Sequence, residues 1–110
     1  MKEERPWGNF EQFTHNEIST VKIITLKPNS KVSYQYHNQR DEFWRIISGE
    51  GVIIIDDKEY PAKPGDEFNI PKLAKHRVIT KDSSIQFLEI SKGNFDEQDI
   101  VRLEDDYNRI

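Results

Sequence analysis

No stretch of 12 residues in this chain keeps its apolar side chains on one face at helical spacing. The periodicity is that of short strands instead. Segments 21–26, 32–37, 42–47, 52–55, 67–70, 76–80 and 85–90 are rich in β-branched or aromatic residues. Turn-forming residues separate them: Pro28 and Asn29, the run 38–41, Gly49 and Gly51, Asp56 and Asp57, Pro64 and Gly65, and the run 81–83. Many short strands at even spacing predict an all-β fold, a sandwich or a small barrel. With 110 residues the chain is read as one domain, 1–110, around one core. One helical turn is expected in the charged tail, at 97–100.

Composition removes several function classes. There is no cysteine, so no disulfide forms and no thiolate serves as ligand or nucleophile. Sixteen basic residues face 20 acidic ones, net charge −4, and the signs are interspersed. That leaves no basic face for a nucleic acid. No apolar run approaches the ~18 residues of a membrane span. The opening six residues, Met1 to Pro6, lack the apolar stretch of a signal peptide, so a cytoplasmic location is expected.

Strand alternation sorts the faces. If Gln35 and His37 point inward, Tyr34 and Tyr36 point out. On the next strand Glu42, Trp44 and Ile46 point in, while Phe43 and Ile47 point out. Val32, Tyr34, Tyr36, Phe43 and Ile47 then make an outer apolar face, which a second copy of the chain is expected to cover as a homodimer. Residues 52–55, Val-Ile-Ile-Ile, show no alternation and read as a strand buried on both faces.

Four of these side chains suit a divalent ion. Gln35 and His37 lie two apart and share one strand face. Glu42 follows a four-residue gap that holds a reverse turn, and His76 comes from a distant strand after Pro71. The set supplies two imidazole nitrogens and two oxygens, with room for water or substrate. It suits zinc, manganese, cobalt or iron without selecting among them. Gln35 is neutral, so an ion offset by Glu42 alone keeps about one positive charge and acts as a Lewis acid. Singly, each residue has a plain structural reading. Gly49, Gly65 and Pro71 at matching offsets make the group read as a site. His15 has no partner at a telling spacing and reads as a surface residue.

The same residues carry a resemblance through nearly the whole chain. It comprises Arg5-Pro6-Trp7-Gly8 with Phe10, then Ser33 to His37, Arg40 to Trp44, Ser48-Gly49, Ile70-Pro71, His76-Arg77 and Glu89-Ile90. It closes with Asp99 to Tyr107, followed by Arg109. The chain resembles type II phosphomannose isomerase. That is the cupin part at the C-terminus of bifunctional mannose-1-phosphate guanylyltransferase/mannose-6-phosphate isomerases, known also as a free-standing domain. The resemblance implies a cupin fold and one divalent metal ion held by Gln35, His37, Glu42 and His76. It implies a role in activity for Arg40, and interconversion of mannose 6-phosphate and fructose 6-phosphate. Members tend to carry histidine where this chain has Asn38, Gln39 and Phe43. No glycine-rich phosphate loop is present, so no nucleotide sugar is expected as product.

Such an isomerisation moves a proton between C1 and C2 of a sugar phosphate through an enediolate. Spacing does not single out the base; Glu67 and Glu89 are the candidates, and Glu89 shares strand parity with Ile85 and Phe87, which fits an inward face. The phosphate needs cations, and Arg40 beside the ligands is the first choice. Arg77 is expected on the opposite face. Arg5, Lys22, Arg102 and Arg109 are weaker candidates, and three of them (Arg5, Arg102 and Arg109) could instead pair with the acidic run 104–106. Trp7 and Trp44 read as core residues. The readings from other classes are a non-catalytic or regulatory carbohydrate-binding cupin, and an iron-dependent cupin oxygenase, against which Gln35 argues.

Overall fold

The computed structural model describes residues 1–106, all of them in strands, turns and loops. Tyr107 and Arg109 lie outside the described residues. Two strands, β1 (Lys2–Arg5) and β2 (Gly8–Glu11), form a separate hairpin. The others are β3 (Ser19–Leu26), β4 (Tyr34–Tyr36), β5 (Asp41–Gly49), β6 (Gly51–Ile55), β7 (Lys58–Ala62), β8 (Glu67–Ile70), β9 (His76–Ile79), β10 (Ile85–Lys92) and β11 (Val101–Glu104). They build a four-stranded sheet ordered β3-β10-β5-β8 and a five-stranded sheet ordered β11-β4-β9-β6-β7. Neighbours are antiparallel throughout.

The two sheets close on one core. Leu26, Trp44, Ile46, Ile70, Ile85 and Phe87 come from the first sheet, and Ile53, Ala62 and Val78 from the second. Each sheet buries one face, which is why alternation marked these strands in the sequence. No helix long and apolar enough to cross a membrane exists among the described residues.

Gly49 ends β5 where only glycine fits. Its φ is +78°, and a Cβ there would lie 1.9 Å from the Ser84 carbonyl oxygen.

Several expectations need correction. Strands β1, β2, β7 and β11 carry little apolar signal and were not anticipated. Strand β7 holds Pro61 and sits at a sheet edge, where a missing N–H costs nothing. The segment 97–100 forms a turn closed by the Asp99 N–H on the Asp96 carbonyl at 3.0 Å, not a helical turn. Strand β6 buries only Ile53 fully, because its outer face stays partly open. Trp7 stands 73% exposed at the hairpin tip and is no core residue. Finally, the five apolar residues assigned to one outer face do not share one. Val32 packs against the core, Tyr34 and Tyr36 belong to one sheet, and Phe43 and Ile47 to the other. Phe43 meets Phe13 of the N-terminal segment, ring centroids 5.5 Å apart.

Candidate metal centre

Inward faces of both sheets turn polar at one end of the interlayer space. Strand β4 ends at Tyr36, and residues 37–40 cross to the opposite sheet, where β5 begins at Asp41. The expected return strand is therefore not a neighbour of β4. Glu42 instead faces His37 and His76 from the opposite layer. One donor atom from each of His37, Glu42 and His76 lies within 4.8 Å of the others, and all three residues are buried.

Glu42 is held at both oxygens. Its Oε1 accepts from Trp44 Nε1 at 3.1 Å, and its Oε2 accepts from Arg40 Nε at 3.0 Å. Those bonds aim the carboxylate at the imidazoles, with His37 Nε2 3.5 Å from Oε2 and His76 Nε2 3.9 Å from Oε1. Trp44 is thus a core residue as expected, edge-on to His76 at 5.5 Å, and also a donor to the acid.

Each imidazole is fixed through its other nitrogen. His76 Nδ1 donates to the Ala74 carbonyl at 3.0 Å, and His37 Nδ1 to the Asp99 carbonyl at 2.6 Å. Both Nε2 lone pairs are then turned toward Glu42. Burial lowers the pKa of both rings below the usual histidine value, so they stay neutral at pH 7, the form that ligates metal. His76 Nε2 is buried and has no hydrogen-bond partner among the described residues. An orphaned buried acceptor costs stability unless something fills it. This donor set therefore fits a divalent cation.

Gln35 stands opposite His76 in the β4–β9 ladder. Its Oε1 accepts from the buried Ser33 hydroxyl at 2.5 Å, which leaves the oxygen a second lone pair. Arg40 is buried beside the group. Its second terminal nitrogen approaches His37 Nε2 at 3.3 Å, so the guanidinium shares acceptor atoms with any ion held here.

Glu89 projects into the same space, in register with Trp44 on one side and Lys22 on the other. Among the described residues it has no arginine ion pair, and its bond is a 3.4 Å contact from Ser91 Oγ. Burial, and after it the Glu42 charge, push its pKa up to about 7. Glu67 goes elsewhere: it lies on the outer side, half exposed, paired with Arg45 at 3.4 Å. Arg77 points to the opposite face as expected, bonded to Val32 O and Glu104 at 3.1 Å each. Arg5 pairs with Glu3 on the hairpin, not with the acidic tail. Arg102 lies beside Gln35 across the β11–β4 ladder, so the two share the inward face. Its Nε is buried without a partner among the described residues.

Sequence reasoning overlooked the segment 93–100, which straps across this end. Its Phe95 ring lies 4.1 Å from Lys22 Nζ and 4.4 Å from Arg40 Cζ. Asp99 was visible only as part of the closing motif, with no role attached. The histidine-poor positions also become intelligible. Asn38 and Gln39 are exposed, and Phe43 faces outward against Phe13, so histidines there would not enter the site.

Residues 1–105 match the family described as mannose-6-phosphate isomerase C-terminal. Alginate biosynthesis protein AlgA of Pseudomonas aeruginosa is 34% identical over 107 residues, covering 96% of this chain and 22% of AlgA. The mannose-1-phosphate guanylyltransferase ManC of Salmonella typhimurium is 31% identical over 108 residues, covering 96% of this chain and 22% of ManC. The chain thus spans less than a quarter of these relatives' length. A cupin protein from Bacteroides fragilis superposes with TM-score 0.62 at 24% identity, over 79% of this chain and 87% of that one, which shows the fold. The chain is an all-β cupin and belongs to the mannose-6-phosphate isomerase C-terminal family.

Proposed function

We propose that this chain is a metal-dependent sugar-phosphate isomerase that interconverts mannose 6-phosphate and fructose 6-phosphate. One observation carries the reading. A buried carboxyl with a pKa near neutrality, Glu89, opens into the same space as a three-donor group whose His76 Nε2 is orphaned. Family membership supports it as well.

In this reading His37, Glu42 and His76 hold one divalent ion, with Gln35 as the fourth ligand. Zinc, manganese, cobalt and iron all suit the set. When bound, such an ion would supply Lewis acidity toward the charge that develops on the substrate oxygens. Glu89 removes the proton from C2 of the open-chain aldose, giving a cis-enediolate. The same carboxyl returns the proton to C1, and the O2 hydroxyl proton passes to O1. A pKa of about 7 lets one group serve as base and then as acid near neutral pH. Arg40, Lys22 and Arg102 supply positive charge for the phosphate, and Arg40 has the fork geometry closest to the ligands. Trp44 excludes water from the inner wall.

Two expectations from the sequence join this proposal, a cytoplasmic location and a homodimer. Exposed Val21 and Ile23 on edge strand β3, with Trp7 on the hairpin, offer apolar surface to a second copy. Analytical ultracentrifugation would report a monomer if that part is wrong.

The deciding assay incubates the purified chain with mannose 6-phosphate and added Mn²⁺, Co²⁺ or Zn²⁺. Fructose 6-phosphate should form and should cease to form with chelator. No product with any metal would refute the isomerase. Calorimetric binding of the sugar phosphate without turnover would instead identify a carbohydrate-binding cupin.

A further inference from the structure

We propose that Asp99 is the positioning residue of this centre, setting the tautomer of His37 and the shape of the turn that carries Arg40. The proposal rests on the metal reading above for its consequence, though not for its geometry. His37 and His76 are oriented by different means. The His76 ring is fixed by Ala74, two residues away, within its own loop. The His37 ring is fixed by a carbonyl 62 residues distant. Its orientation therefore depends on where the strap lies.

Three interactions tie Asp99 to the ligand turn. The carbonyl accepts from His37 Nδ1 at 2.6 Å. Oδ1 accepts from the Asn38 N–H at 2.8 Å, and Oδ2 from the Gln39 N–H at 2.9 Å. Residues 38 and 39 lie between strands β4 and β5, where no ladder supplies acceptors. A carboxylate receiving two amide donors makes strong, directional bonds. The Asp96 carbonyl adds a 3.1 Å bond from Arg40 Nη1, and the Asp99 N–H closes back on that same oxygen. Strap, turn, ligand ring and Arg40 thus form one hydrogen-bonded unit.

Replacing the side chain leaves the Asp99 carbonyl in the chain but removes what holds it against His37. In Asp99→Asn the amide oxygen still accepts one N–H, while the amide nitrogen meets the other as donor against donor. Asp99→Ala leaves both donors unpaired.

The test uses the full chain. Ring nitrogen NMR of His37 in the metal-free protein reads the tautomer, and competition with a chromophoric chelator reads Zn²⁺ affinity. Wild type should show one tautomer, protonated at Nδ1. Asp99→Ala and Asp99→Asn should show mixed tautomers and bind Zn²⁺ about 10–100-fold more weakly, the usual scale for groups that orient a metal ligand. A merely structural role would lower the melting temperature and leave both readouts at wild-type values, which would overturn the proposal. Should both variants unfold, wild type still decides: a His37 protonated at Nε2 overturns it. A wild-type protein with the His37 tautomer locked but no Zn²⁺ uptake would sink the metal reading and leave the positioning role standing.

Discussion

The two ends of the interlayer space are built from the same strands and behave as different materials. Along β10 the inward residues run Ile85, Phe87, Glu89, Ser91; along β5 they run Ile46, Trp44, Glu42. On β9 Val78 gives way to His76. The change from apolar to polar falls at one level in each, near Trp44, which touches Phe87 at 4.8 Å and bonds Glu42 at 3.1 Å. One end gains stability from close packing. The other buries an acid pair and an orphaned imidazole, arrangements that cost stability unless a ligand repays them. The difference teaches that folding and function are separable here along a single strand.

The sharpest way to break that separation is His76→Ala. Wild type should bind about one divalent ion per chain and the variant almost none, as measured by metal analysis after dialysis. The metal-free variant should still fold, giving up only the Ala74 hydrogen bond and the ring's packing on Trp44. Unchanged stoichiometry would dissolve the polar end as a site. Phe87→Ala probes the other end. Removing a fully buried ring should cost about 3–5 kcal/mol in denaturant unfolding, with metal per folded chain unaltered. If metal binding fell in step, the two ends would be one unit.

Arg40→Ala should act more gently. Losing a charge-assisted contact to phosphate costs about 1.5–3 kcal/mol, or some 10–100-fold in kcat/KM. Metal should still be bound, since the donors of His37, Glu42 and His76 stay in place. Kinetics identical to wild type would remove Arg40 from substrate binding.

Legibility in the sequence followed the same division. Strand 67–70 coincides with β8, and 85–90 lies within β10, because each has one buried face that stamps alternation on its residues. Strand parity alone sufficed to turn Gln35, His37, Glu42 and Glu89 inward. What alternation does not encode is partnership. The 37–40 turn reads as a hairpin, yet it passes between layers, since pairing is decided by β9 and β10 far along the chain. Trp7 was misjudged because apolar character does not reveal which face exists to receive it. Asp99 was unreadable as a partner of His37 for the same reason: their bond spans 62 residues and involves a carbonyl, which carries no residue signature.

The remaining expected effect is the most specific. Glu89 has its pKa raised from 4.5 to about 7, first by burial and next by Glu42, while Lys22, Arg40 and Ser91 pull the other way. The fold therefore favours the neutral carboxyl. Its contribution to stability is full below about pH 4.5 and is lost as pH rises through about 7. The two buried histidines have the opposite sense. Their depressed pKa values favour neutral rings, a contribution present above 6.5 and lost as pH falls below it. In metal-free wild type the two trends run in opposite directions between about pH 4.5 and 6.5, so a simple pH profile would mix them. The difference between wild type and Glu89→Gln isolates the acid. Glutamine stays neutral, so the variant should match wild type at pH 4.5 and exceed it in unfolding free energy at pH 8. Equal stabilities at both values would mean that Glu89 is solvated and ordinary, and would leave the polar end without its base.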